Sequence, residues 1–289
     1  MLRQVAIVSE VPEVTFSEIA KVGAAVQKQV MRDFAPIWEI QATVDAFAVL
    51  EDVPIGYWPV IIQKDIGFNA AGIHLDKDGQ PFSLVQHEAG WSMTVSHEVL
   101  EMLADPFGDR VIAGPSLHPQ QDRVEYLVEV CDPSEDLAYS YTVNGITVSD
   151  FYTPHYFDPV KSTGVRYGFG SGLKAPRQVL KGGYLSWHDP ISDHWWQQTW
   201  FGSSKTFRDL GVLPAAKESI RELIDRRTRH RYWTPGASNK VGTPAKGMSA
   251  LLASTAAPLV AASKATASKA VAWRAQIQAL KGNKDFQVL

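Results

Sequence analysis

The stretch WSMTVSHEVLEMLADPFGDR, residues 91–110, concentrates side chains that could bind a cation or move a proton. No lysine or arginine occurs from residue 78 to residue 109, so the stretch has no local cation. Imidazole and carboxylate groups are common ligands of divalent metals, and a carboxylate beside a metal-bound water can act as a general base. The residues that could do this chemistry are His97, Glu98, Glu101 and Asp105.

Their spacing predicts one helix with a narrow polar side. At about 100° per residue, the four side chains fall within an arc of roughly 100°. The remaining positions are mostly Val, Leu and Met, so the helix should be buried on most sides. Asp105 precedes Pro106, and the residue before a proline is disfavoured in a helix, so the helix should end there.

Carboxylates that lie side by side on a buried helix require a cation to balance their negative charge. A solvated helix face, the simplest alternative, usually mixes acids with Lys, Arg or Gln. Glu101 and Asp105 also lie in the last turns, where the helix dipole disfavours each anion by roughly 0.3–1 kcal/mol. The cation is either a bound metal ion, which we favour, or a distant arginine such as Arg110 or Arg123.

The residues SHEVLE followed by ADP resemble the active-site helix of the zincin metallopeptidases. They are more similar to zincin-like proteins with an S-H-E-x-x-E-x-x-x-D-P helix, in which an acidic stretch with a cysteine follows, and VEVCDPSED stands in that place here. The resemblance extends over about residues 3–160. It implies a zinc ion held by His97 and Glu101, with Glu98 as the general base for the attacking water.

One position departs from the better-known peptidases, because Glu101 stands where they have a second histidine. An oxygen ligand makes the site harder and less selective, so manganese or calcium could replace zinc. The added negative charge also weakens the ion as a Lewis acid. Metal binding is therefore a firmer expectation than peptidase activity.

Further ligands must come from downstream, and the strand predicted at VEYLVEVCDP offers the best candidates. An acid pointing inward from an apolar strand is costly unless paired, which favours Glu129 and Asp132 as ligands. Their alternative role is an outward strand face with a turn cap. Cys131 is either a soft ligand or a packing residue. Other possible metal or second-sphere residues are Asp105, His155 and His194.

Two aromatic segments, DFYTPHYFDP and SWHDPISDHWWQQTWF, admit two interpretations. They could form the wall of a substrate cleft, with His155 or His194 assisting an oxyanion or binding metal. Their tryptophans could instead cover a sheet and hydrogen-bond through the indole N–H, which we favour. The segment GFGSGLKAP lacks the Walker lysine and serine, so phosphate binding is not expected there.

The order of elements predicts an α+β fold with a zincin-like mixed sheet, an N-terminal helix and the active-site helix. A hairpin should turn at Lys77-Asp78-Gly79-Gln80 and another at Asn144-Gly145. We expect a body at residues 1–233, with a core at 1–160 and a loop-rich, aromatic extension at 161–233. Residues 234–289 read as a basic, alanine-rich linker and helical tail.

Charge and composition restrict the partners. The net charge is −3, but the tail carries seven Lys or Arg against one acid, so the body is acidic and nucleic-acid binding is not expected. The single cysteine excludes an internal disulfide. No secretory signal or apolar run of about 20 residues is present, which predicts a cytoplasmic protein without a membrane span, leaderless export remaining open.

Together these features predict a metal-dependent hydrolase, with a peptide or protein as its substrate. The alternative is a non-catalytic binding or assembly protein on the same fold, with a structural or vestigial metal site. In either case the tail would dock on the protein's own body or on a protein partner.

Overall fold

The computed structural model describes residues 2–68, 70–214 and 218–228, and Ala275 alone beyond them. The predicted boundary at residue 233, and the linker and tail at 234–289 except Ala275, therefore lie outside the described residues. Within the described part, no helix is both long enough and apolar enough to cross a bilayer.

The first half of the chain forms a five-stranded mixed sheet with helices packed on one face. The strand order is β2-β1-β3-β5-β4, and all neighbours are parallel except β4 with β5. The α+β class is therefore confirmed. The strands are β1 (Arg3–Ser9), β2 (Ala42–Ala46), β3 (Trp58–Gln63), β4 (Gly72–Lys77) and β5 (Gln80–Gln86). The helices are α1 (Phe16–Gln29), continued by a π-helical turn (Val30–Phe34) and α2 (Ala35–Trp38), and α3 (Trp91–Ala104).

Local signals account for these elements. Thr15 and Glu18 form a capping box at the start of α1, where the Glu18 N–H donates to Thr15 Oγ1 at 3.3 Å and the Thr15 N–H donates to Glu18 Oε2 at 2.8 Å. The β4–β5 hairpin turns at Asp78 and Gly79, which have φ angles of 53° and 80°. The helices and the hairpin thus lie where the sequence predicts them.

The alternation of β4 decides which of its side chains faces α3. Ile73 and Leu75 belong to the core on the far side of the sheet, whereas His74 lies between them and faces the helices. β4 is an edge strand, with β5 as its one neighbour in the described sheet. This geometry places His74 against the polar side of α3.

The second half contains more strand than the sequence indicates. An antiparallel sheet of order β12-β11-β10-β7-β6 includes three strands in the region predicted to be loop-rich. Its tryptophans pair across strands, Trp187 opposite Trp196, and Trp187 is fully buried. The strands are β6 (Val111–Pro115), β7 (Arg123–Leu127), β10 (Tyr184–Asp189), β11 (His194–Thr199) and β12 (Thr206–Gly211).

Two smaller elements complete the described fold. The ribbon β8 (Tyr141–Val143) and β9 (Ile146–Val148) turns at Asn144-Gly145 as predicted, and α4 (Ile220–Asp225) lies near the end of the described region. One hydrophobic cluster runs from Val5 to Trp187 and so joins both halves. Strand β7 ends at Leu127, earlier than predicted, so Glu129 and Asp132 lie on an irregular segment that approaches α3.

Candidate metal centre

Two separate segments bring the four predicted ligands together. His97 and Glu101 come from α3, and Glu129 and Asp132 from the segment after β7. His97 Nε2 lies 3.2 Å from Glu101 Oε2 and 3.2 Å from Asp132 Oδ1. Oxygen atoms of Glu101, Glu129 and Asp132 lie within 4.8 Å of one another. Ligand atoms around a single ion lie at such separations, because metal–ligand distances are about 2.0–2.6 Å.

These ligand atoms are buried and incompletely paired. The exposed fraction is 0% for Glu101, 2% for Asp132, 4% for Glu129 and 8% for His97. Within the described part of the chain, the side-chain oxygens of Glu129 and Asp132 accept no well-aligned hydrogen bond. Buried carboxylate oxygens of this kind are costly unless a cation or a proton compensates them.

The charges in the cluster shift one another's protonation. Burial alone would lower the pKa of His97, but the negative charges of Glu101 and Asp132 outweigh burial and raise it well above its usual value. Burial and the nearby Glu101 both raise the pKa of Asp132. Both shifts favour the protonated forms of these two groups while no ion is bound, and a divalent ion would bind in exchange for protons.

Glu98 lies beside these residues, beneath the edge strand β4. Its Oε2 is 3.7 Å from His74 Nδ1, and both side chains are at least 97% buried. His74 Nε2 lies 3.0 Å from the backbone carbonyl oxygen of Asp105, which assigns the Nε2 proton to that hydrogen bond and turns Nδ1 toward Glu98. His74 has no signal in the sequence that marks it as part of this site, because only the register of β4 brings it to α3.

Gly72 keeps the space that the Glu98 side chain occupies. A Cβ atom at Gly72 would lie 2.6 Å from Glu98 Oε1 and 2.6 Å from Thr94 Cγ2. We expect Gly72→Ala to lower the free energy of unfolding by about 1–3 kcal/mol, because overpacking displaces Glu98 or the strand. Urea unfolding measures this. The matched control is Gly202→Ala, whose Cβ would meet no described atom within 4 Å. Equal stability of the two variants would contradict the close approach.

A guanidinium group also lies in the cluster, and it belongs to Arg221, not to the predicted Arg110 or Arg123. Arg221 of α4 places Nη1 2.6 Å from Glu101 Oε2 and in contact with Glu129 Oε2, while its Nε donates to Asp225 at 3.0 Å. The expectation that an ion alone balances these acids is therefore wrong. Burial would raise the pKa of Glu101, but Arg221 and His97 outweigh burial and hold it well below its usual value.

The two predicted arginines serve other purposes. Arg110 donates from Nη1 to the carbonyl oxygen of Ala104 at 2.9 Å and lies over the Trp38 ring. Arg123 is an exposed residue at the start of β7. The alternative of an arginine from a distant part of the chain is thus correct, but the arginine is Arg221 of α4 and neither of the two that were named.

Even with Arg221, the cluster keeps an excess of negative charge. Because Arg221 is paired with Asp225 of its own helix, the two together add no net charge. Four buried carboxylates then surround two histidines, His74 and His97. With both histidines protonated, the net charge of these six groups would still be −2. Among the described residues this negative charge stays unbalanced, and protons or one divalent ion would balance it. The four carboxylates are those of Glu98, Glu101, Glu129 and Asp132.

The remaining predicted residues do not place side chains at the centre. The Asp105 carboxylate accepts the N–H groups of Asp109 at 3.3 Å and Arg110 at 2.9 Å in the loop after α3, and only its backbone carbonyl oxygen contacts His74. His155 pairs with Asp158 at 3.1 Å and its side chain is 61% exposed. His194 pairs with Asp209 at 2.9 Å on the antiparallel sheet. Among the described residues, neither the His155 nor the His194 side chain joins the groups of ligand atoms at this centre.

Two neighbours complete the surroundings. Cys131 is buried beside the centre: its N–H donates to Glu101 Oε1 at 3.1 Å, and its Sγ lies within 4.8 Å of ligand atoms of His97 and Glu101. Burial raises the pKa of its thiol. Glu135, which the sequence analysis missed, has an oxygen within 4.8 Å of ligand atoms of His97 and Asp132. Burial raises the pKa of Glu135 to about 8, so it is largely protonated at neutral pH.

The aromatic segment beyond residue 184 contributes to the sheet instead of a cleft wall at this centre. Trp187 is fully buried in the main core, and its Nε1–H donates to Gln121 Oε1 at 2.9 Å. Trp187 therefore fits the structural interpretation, in which a buried indole finds a partner for its N–H, whereas the buried Nε1 atoms of Trp196 and Trp200 have no hydrogen-bond partner among the described residues.

Comparisons with known proteins identify no relative, since no family model, no curated protein and no solved structure matches the chain. The resemblance to the zincin-like proteins therefore rests on the motif of α3 and the acidic segment after β7.

Proposed function

We propose that the protein is a metal-dependent hydrolase, acting on peptide bonds, whose ion is held by His97, Glu101 and Asp132, with Glu129 as a further ligand. The observation that carries the proposal is the convergence, from two separate segments, of buried His, Glu and Asp side chains whose ligand atoms lie within 4.8 Å of one another in overlapping groups of three. One nitrogen and several oxygen donors suit zinc or manganese, and calcium less well.

The surroundings of the centre fit hydrolysis. A bound divalent ion would lower the pKa of a coordinated water and polarise a carbonyl group. Glu98 lies next to the proposed ligands and would accept the proton of that water, and His74 Nδ1 lies 3.7 Å from the Glu98 carboxylate. β4 is an edge strand of the described sheet and passes Glu98, so an extended peptide could add to the sheet as a further strand.

Metal content tests the proposed centre. We expect the purified protein to retain about one equivalent of a divalent ion after dialysis, and His97→Ala to lose it because one ligand is missing. Elemental analysis measures both. His188→Ala is the matched control, since His188 also lies between two carboxylates, those of Glu125 and Asp193, but on the other sheet. A wild-type protein that binds neither zinc, manganese nor calcium would rule out the proposed function.

A second candidate is a non-catalytic protein with a structural ion on the same fold. It is favoured by the closure of the site, where even the His97 side chain is only 10% exposed. Catalytic sites keep a coordination position open to substrate, whereas structural sites are closed. Bound metal together with no hydrolysis of a generic unfolded protein at any tested pH would select this second candidate.

A further inference from the structure

We propose that the Arg221 guanidinium and the metal ion are alternative occupants of the Glu101–Glu129 carboxylate pair. The ion enters when α4 withdraws Arg221, and the closed arrangement is the metal-free state. This inference rests on the proposed metal centre and adds its regulation by a segment of the same chain.

The first evidence for this competition is the position of Arg221 Nη1. Arg221 Nη1 lies 2.6 Å from Glu101 Oε2 and contacts Glu129 Oε2, so it occupies the space between the two carboxylates. A divalent ion would lie at about 2.0–2.6 Å from the same oxygens. A guanidinium and an ion cannot both fill this space, and their charges repel strongly at such a separation.

The partner of Arg221 on its own helix is the second evidence. Arg221 Nε donates to Asp225 Oδ2 at 3.0 Å, and Asp225 is one turn further along α4. If α4 moves, Asp225 moves with Arg221, and the guanidinium keeps one carboxylate. Withdrawal therefore leaves Arg221 paired while it frees Glu101 and Glu129 for the ion.

The attachment of α4 is the third evidence, because it depends on few apolar side chains. Ile224 is the fully buried apolar residue of α4 and packs with Leu127 and Trp195 in a small cluster apart from the main core. The Arg221 N–H also donates to the Gly108 carbonyl oxygen at 2.9 Å. Segments with few buried apolar contacts open at lower cost than the core does.

Metal titration of Arg221→Gln tests the competition. We expect this variant to bind Zn²⁺ and Mn²⁺ roughly 10-fold or more tightly than the wild-type protein, because the competing charge is gone. Arg221→Lys, which keeps a charge, should bind much as the wild type does. Arg226→Gln is the matched control on the same helix, since Arg226 pairs with Glu222 and not with the centre. Calorimetric titration of the four proteins at one pH gives the affinities.

Hydrogen exchange of the wild-type protein gives a readout that needs no variant. The N–H groups of Leu223, Arg226 and Thr228, which hold the turns of α4, should exchange faster with Zn²⁺ than without it. Equal affinities, or unchanged exchange in α4 when the metal binds, would overturn the competition and leave the metal centre standing. Binding of neither ion by any of the four proteins would overturn the competition and the proposed function together.

Discussion

Glu98→Gln is expected to lower hydrolysis by about 10²–10⁴-fold while the metal content stays at the wild-type level. Glutamine has the shape of glutamate but cannot accept the proton of the attacking water. The Glu98 carboxylate faces His74, at 3.7 Å, and the proposed ligands are on α3 and on the segment after β7, so the ion should keep its ligands. The measurements are turnover of an unfolded protein substrate and elemental analysis of the same sample.

The chain offers a matched control for this prediction. Glu88 follows His87 in a second His-Glu pair, but it lies before α3 begins and outside the cluster. Glu88→Gln should therefore leave both hydrolysis and metal content unchanged. If Glu98→Gln loses the ion, Glu98 is a ligand and the assigned role is incorrect. If it keeps both the ion and full activity, Glu98 is not the general base.

The part of the centre on α3 could be predicted because its signals are local. A helix of known periodicity places His97, Glu98 and Glu101 on one side, and the apolar residues around them predict that this side is buried. Glu129 and Asp132 followed from the cost of an inward-facing acid, although the structure places them beyond the end of β7. The sequence signals for the capping box of α1 and for the two hairpin turns are equally local.

The part that escaped prediction depends on contacts between distant segments. His74 reaches the cluster only through the register of β4 against β5, and Arg221 is 120 positions from Glu101. In the sequence, Arg221 is one of several cations on a helix that reads as a surface helix. The strands β10 and β11 were missed because their Trp, His and Asp residues do not alternate cleanly between apolar and polar.

The second large effect that we expect comes from replacing the buried Arg221. Arg221→Met in the metal-free protein should lower the free energy of unfolding by about 3–5 kcal/mol, because it leaves Glu101 and Glu129 buried without their cation. Urea unfolding after dialysis against a chelator measures this. Arg226→Met is the control, since its ion pair is at a partly exposed position and should contribute about 1 kcal/mol or less.

Adding the ion separates a structural arginine from one that competes with metal. An ion at about 100 times its dissociation constant stabilises the folded state by about 2.7 kcal/mol, so it should restore most of the stability that Arg221→Met loses. The wild-type protein should gain less at the same concentration, because its ion must first displace Arg221. If the ion stabilises both proteins equally, Arg221 and the metal do not share a site. If the variant loses less than about 1 kcal/mol without metal, protons and not Arg221 neutralise Glu101 and Glu129.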